Sequence, residues 1–231
     1  MKVKFLTTTV LLAAGLVAGA ASHSGLSYST STSVKSGVWT KRFAKAKAHA
    51  TKNGLPLVVL WVNPGCPSCN RLCSSIGSSS SFTSWRKSSK CVFVLGVGTT
   101  TSDGANAKAY ARDPSGYFPY CAVYLDPRGT ASPVRSKKTF TGKGMGASSF
   151  KSKVLSILKD YVLITQKAGT GGSVNHVYWQ KKGKKVTLKA TPKSKYKFVG
   201  WYKSGKKVSS KASYSITVKS KATYTAKFKK K

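Results

Sequence analysis

Negative charge is almost missing from this sequence. Its 231 residues hold four acids, all aspartate (Asp103, Asp113, Asp126 and Asp160), against 41 Lys+Arg. Chemistry that needs paired carboxylates has almost nothing to work with, and oxygen-rich calcium or magnesium cages lack ligands. Histidine is scarce too. His23, His49 and His176 fall in different parts of the chain, so they suggest neither a metal cluster nor a base for a nucleophilic cysteine. Long apolar runs are confined to the N-terminus, so no membrane span is expected in the mature chain.

What is present is positive charge, a formal net +37. Such an excess implies attraction to polyanions: anionic cell-surface polymers, lipid headgroups or nucleic acid. Most of it is lysine, which acts as a point charge, whereas arginine offers a bidentate fork. The expected binding is therefore sequence-blind and salt-sensitive, with no specific nucleic-acid partner. A general lysine bias with no selected partner stays open beside it.

Residues 1–20 read as a secretory signal peptide, with Lys2 and Lys4 at a basic start, an apolar stretch from Phe5 to Ala18, and Ala18-Gly19-Ala20 as a small-residue cleavage site. The expected location is outside the cell or at its wall, where disulfides persist. Residues 21–36, rich in Ser and Thr, read as a flexible lead-in.

The chain is organised around Leu55 to Leu72. Leu57 to Val62 is an apolar, β-branched run, broken by Asn63-Pro64-Gly65. Cys66-Pro67-Ser68-Cys69 follows, with Pro67 suited to a first helical turn. Amides at a helix start favour an anion, so the Cys66 thiolate is expected to be stabilised. Cys69 lies one turn on, within reach of a disulfide. One cysteine attacks a partner's disulfide and the other resolves the mixed intermediate. An inert disulfide staple is the competing reading. A zinc or iron–sulfur site on Cys66, Cys69 and Cys73 lacks an evident fourth ligand, and no cofactor is implied.

Around that motif, Val38 to Lys52 carries Trp39, Phe43, Ala46 and Ala50 at helical spacing, ended by Asn53-Gly54. The helix after Pro67 presents Cys69, Leu72, Cys73 and Ile76 on one face. Phe82 and Trp85 suggest a short helix, and Cys91 to Val97 a second apolar strand. Thr99 to Gly104 reads as a loop and Ala105 to Ala111 as a helix. Pro119 leads into the strand Cys121 to Leu125, with a turn at Asp126-Pro127-Arg128-Gly129, a strand from Lys138 to Thr141, and a helix capped by Ser148 that bears Phe150, Val154, Ile157, Leu158 and Tyr161.

This order, with the Cys-x-x-Cys after a hydrophobic strand and the proline ahead of Cys121, resembles the thioredoxin-like superfamily over residues 37–165, most of all its secreted bacterial members. The resemblance implies an α/β domain with a central mixed sheet flanked by helices. It implies that Pro119 is a cis-proline facing the cysteines, and that Phe118 presents its backbone to an extended substrate, beside Pro67 and Ser68. Two departures matter. Gly65 stands where the family usually has Trp, and Leu60 where it has a buried acid that moves protons. A stabilised reduced form makes an oxidant, so oxidation or isomerisation of cysteine-containing exported proteins is expected ahead of reduction.

Residues 166–231 change character, with nineteen lysines and no acid. Gly169 to Ser173 reads as a hinge. Alternation of period two follows at Val186, Leu188, Ala190; Tyr196, Phe198; Tyr214, Ile216, Val218; and Tyr224, Ala226, Phe228. A small, mostly-β unit with one greasy and one cationic face is expected. Ala190 to Pro192, Phe198, Gly200, Trp201 and the closing Tyr-Thr-Ala-Lys-Phe are similar to divergent internalin B-repeat modules. That resemblance implies a non-catalytic surface accessory. Trp179, Trp201 and Tyr202 are read as core in preference to a sugar-stacking platform. The alternative for the whole chain is a non-enzymatic, cationic wall-binding protein with a structural Cys66–Cys69 disulfide.

Overall fold

A computed structural model describes residues 20–98, 118–125 and 137–231. The signal peptide up to residue 19, the loop and helix expected between Thr99 and Ala111, and the turn at Asp126 to Gly129 lie outside the described residues.

The N-terminal part is built on one mixed sheet. Its elements in chain order are β1 (Ala20–His23), β2 (Leu26–Ser29), β3 (Trp39–Thr40), α1 (Phe43–Asn53), β4 (Leu57–Val62), α2 (Pro67–Ser78), α3 (Ser80–Ser88), β5 (Val92–Val97), β6 (Tyr120–Tyr124), β7 (Lys137–Thr141) and α4 (Ala147–Leu158). The strand order is β1-β2-β3-β5-β4-β6-β7. β4 runs parallel to β5 and antiparallel to β6, which makes it an interior strand.

β4 is buried along its whole length, and its alternation divides the core in two. Val58, Leu60 and Val62 point to the layer shared with Cys69, Leu72, Cys73 and Ile76 of α2, Phe82 of α3 and Phe150 and Val154 of α4. Leu57, Val59 and Trp61 point to the other layer, against Phe43, Ala46 and Ala50 of α1. A strand covered on both faces reads as a continuous apolar run, so its sequence betrays no alternation although its side chains alternate. Opposite Trp61, β5 carries Gly96; a β-carbon there would fall 2.0 Å from the Trp61 ring. Glycine at that position is what lets the indole lie across the neighbouring strand.

Three local expectations are corrected. Trp39 is not the first turn of a helix: it lies in β3, paired with Phe93 of β5, and stacks edge-on with that ring at 5.1 Å. Residues 21–36 are not all a loose lead-in. β1 and β2 form a hairpin that extends the sheet, and Leu26 is buried in its core. Its short Ser-rich strands gave little apolar signal, and tertiary pairing overrode composition. α4 starts at Ala147 with Gly146 as its N-cap residue, ahead of Ser148, and it stops at Leu158, so Tyr161 opens a strand instead of closing the helix.

The C-terminal part is all strand: β8 (Tyr161–Ala168), β9 (Gly172–Val174), β10 (Tyr178–Lys181), β11 (Lys185–Pro192), β12 (Tyr196–Lys203), β13 (Lys206–Ser209), β14 (Ser213–Thr217) and β15 (Ala222–Lys230). They form a five-stranded sheet, β10-β8-β15-β12-β13, and a three-stranded sheet, β14-β11-β9. Between them sit Ile164, Leu188, Trp201, Ile216, Val218, Tyr224 and Ala226. Because β8 pairs in parallel with β15, residues 161–165 belong to this sheet. The stretch from Gly169 to Ser173 is not a hinge between units: residues 169–171 turn inside this one, and Gly172 and Ser173 already belong to β9.

The two parts touch. The Trp179 indole donates to the Gly54 carbonyl at 2.8 Å and packs on the N-terminal core. Gly54 caps α1 in the left-handed region, at φ 62, and a β-carbon there would meet the Tyr178 ring at 2.9 Å. Glycine is required at this position by backbone and contact alike.

Candidate active site

The chain reverses direction after β4 through Asn63, Pro64 and Gly65, all exposed, with Gly65 at φ 77. The reversal delivers Cys66 to the N-cap of α2 in extended conformation. Its amide donates to the Asn63 carbonyl at 3.2 Å, and its carbonyl accepts from the Asn70 amide at 3.0 Å. Pro67 occupies the first helical turn, where the amide it lacks has no partner to lose. The Cys66 sulfur then does what a serine or aspartate cap does: it accepts from the Cys69 amide, at 3.3 Å.

The two cysteines differ in environment. Cys66 is partly exposed, while Cys69 is buried. Burial is the main cause that pushes the Cys69 thiol up to about 12; the hydrogen bond with Cys66 adds to the rise, and an amide donated by Asn63 to its sulfur at 3.4 Å opposes it. Beneath lies an apolar floor. Leu60 of β4, fully buried, stands between Leu95 of β5 and Cys121 of β6. No carboxylate reaches this layer among the described residues, whose one acid is Asp160.

Facing the helix start is the entry to β6. The Phe118–Pro119 peptide is cis, and the Phe118 carbonyl lies 3.9 Å from the Cys66 sulfur. Pro119 is buried. Its carbonyl accepts from the Gly142 amide at 2.7 Å, and a β-carbon on Gly142 would lie 2.7 Å from Leu72 and 3.0 Å from the Pro119 ring. Gly142 thus holds the proline loop against α2, a residue the sequence reading passed over; a glycine just after the last strand was the available signal. Beside Ser68, which accepts from Arg71 at 3.4 Å, opens a shallow cleft of about 800 Å³, lined by Ser24, Asn70, Arg71, Ser74 and the loop Gly144 to Gly146. Cys66, Pro67, Ser68, Cys69, Phe118 and Pro119 therefore stand in one place.

The other cysteines are buried, with Cys73 close enough to the pair for the charge of Cys66 to add to the rise of its thiol. Burial pushes the Cys73 and Cys91 thiols to about 12 and Cys121 well above its ordinary value. At neutral pH a thiol at 12 is ionised to about one part in a hundred thousand. Alkylation of the folded, reduced protein at pH 7 is therefore expected to label Cys66 first and to spare Cys69, Cys73, Cys91 and Cys121 until pH rises toward 12 or the chain unfolds. Peptide mapping after timed iodoacetamide treatment reads this out, and early labelling of Cys73 would contradict it. Among the described residues no group of three or more His, Cys, Asp or Glu could hold a metal ion, and no helix is long and apolar enough to cross a membrane. His49 lies near Ser36 and Asn53, and His176 stacks on Tyr178.

No curated protein matches the sequence. Among solved structures, one described as "DsbH Oxidoreductase" is similar at 20% identity, with a TM-score of 0.39, over 51% of this chain and 81% of its own. Residues 162–231, the part that folds into the paired β-sheets, match the family model of the divergent InlB B-repeat domain.

Proposed function

We propose that the chain is an exported thiol–disulfide oxidoreductase of thioredoxin-like fold, leaning to oxidation and isomerisation, held at an anionic surface by its lysine-rich β module. The observation that carries the reading is the placement of one partly exposed sulfur, Cys66, at a helix start, capped by the Cys69 amide at 3.3 Å and faced by the Phe118 carbonyl at 3.9 Å.

In the isomerase direction the Cys66 thiolate attacks a substrate disulfide. A Cys66–substrate bond forms, the substrate S–S bond breaks, and the expelled substrate thiolate takes up a proton. The substrate then either re-pairs internally, returning Cys66 as thiolate, or Cys69 loses its proton and attacks Cys66, leaving a reduced substrate and a Cys66–Cys69 disulfide. As an oxidant the disulfide form runs the second course backwards, accepting two electrons from a substrate dithiol. Cys69 is a reluctant resolver, since burial pushes its thiol up and Leu60 offers no proton acceptor. A slow resolver prolongs the mixed disulfide, which favours reshuffling over net reduction. Phe118 and Pro119 orient an extended segment of the cysteine-containing substrate, as an added strand would be oriented, with Pro67 and Ser68 on its other flank.

The test is the reduction potential of the Cys66/Cys69 couple, measured against glutathione. A value near the about −180 mV of an isomerase or above is expected. A value at or below the about −270 mV of thioredoxin would sink the oxidising reading.

A further inference from the structure

On the face of the five-stranded sheet turned away from its own core, the β15, β12 and β13 side carries lysines in a segment with no Asp or Glu, while Leu163 of β8 and Trp179 of β10 on the same face meet the N-terminal part. Along β15, Ala222, Tyr224 and Ala226 are buried while Thr223, Lys227 and Lys229 are exposed. Lys197 of β12 stands opposite Lys229, and Gly200 opposite Lys227. Lys167 of β8 pairs with Thr225 on the same face. Lys207 of β13 reaches it as well, for a β-carbon on Gly200 would meet the end of its stem at 2.5 Å. Residues 161–231 contain no Asp or Glu side chain that could neutralise these groups. Alternate residues on a strand stand roughly 6.8 Å apart and neighbouring strands roughly 4.8 Å, so the stems of these lysines rise at close, repeated intervals and make a cationic face along which an extended anionic chain can lie.

The aromatic rings narrow the partner. Single-stranded nucleic acid is held by bases stacked on open rings, and the rings near this face are already engaged. Lys227 sits 4.2 Å over Tyr202. Trp201 is fully buried and donates to the Ala212 carbonyl at 3.2 Å. Trp179 is turned onto Gly54. A sheet face also offers no helix or ribbon to enter a duplex groove, and lysine lacks the fork that reads base edges.

We infer that the face formed by Lys167, Lys197, Lys207, Lys227 and Lys229 is a docking surface for a base-free phosphodiester chain, a polyol-phosphate polymer. This deepens the surface-holding half of the proposed function and is independent of its thiol chemistry.

The test uses the full chain and poly(glycerol phosphate) over a salt series. K197T/K227T/K229T removes three charges from the face and keeps strand-forming residues. K45Q/K52Q/K90Q removes three exposed charges from the N-terminal part. The face variant is expected to bind about tenfold more weakly, with a salt slope lower by about 2, and the control to lose less than about threefold. Equal losses would show delocalised attraction and overturn the proposal, as would equally tight binding of single-stranded DNA or a sulfated glycan of matched charge. Unchanged circular dichroism shows that the face variant is folded. C66S is expected to bind like the parent, so a failed thiol assay leaves this result standing and the reverse holds too.

Discussion

Replacing Cys66 by serine is expected to abolish thiol–disulfide exchange. Turnover of a scrambled disulfide substrate should fall to roughly a thousandth of the parent rate or less, because no other sulfur can take over the attack. Cys69, Cys73, Cys91 and Cys121 are buried, and thiols pushed to about 12 carry on the order of a thousand times less thiolate at neutral pH than a free cysteine. Serine keeps the helix cap, since its oxygen can accept from the Cys69 amide as the sulfur does, so stability should change little while activity vanishes. Cys69→Ser should behave differently, accumulating a mixed disulfide on Cys66 that mass spectrometry detects. A C66S protein that keeps more than a tenth of the parent rate would transfer the chemistry to another residue and overturn the role of Cys66.

Trp201→Ala is expected to unfold the C-terminal module while sparing the cysteine site. Trp201 is fully buried, donates its indole N–H to Ala212, and meets Phe198 edge-on at 6.1 Å. Truncating a buried tryptophan costs about 3–5 kcal/mol through lost burial and the cavity left behind, and it leaves the Ala212 carbonyl with the Ala190 amide as its remaining donor. A small two-sheet unit has little stability in reserve. Limited proteolysis should open sites within residues 161–231, and the alkylation pattern at Cys66 should stay as in the parent. A loss below about 1 kcal/mol would contradict the place of Trp201 at the centre of that core.

Much of the site was legible because its signals are local. Pro67 and Cys69 follow from helix-start chemistry within four residues of Cys66, and the buried face of α2, Cys69, Leu72, Cys73 and Ile76, follows from helical spacing. The strands of the C-terminal module were legible for the same reason, since each wears its alternation openly with one face toward solvent. Errors arose where a long-range partner decided. Trp39 fitted a helical pattern with Phe43, yet β5 captured it as a strand. β1 and β2 looked like a polar leader, yet the sheet edge at β3 gave them a ladder to join. Tyr161 continued the apolar series of α4, yet pairing with β10 drew it into a strand.

The sequence by itself determined the chemistry available: two cysteines at a helix start, almost no carboxylate, and a lysine-laden β segment. These are properties of residue type and short spacing, which no fold can add or remove. Only the tertiary structure decided that the Phe118 carbonyl comes within 3.9 Å of Cys66, that Gly142 holds the proline loop, and that five lysines from four strands share one face. Those relations join residues far apart in the chain, and distance along a sequence carries no information about distance in space until a core has been packed.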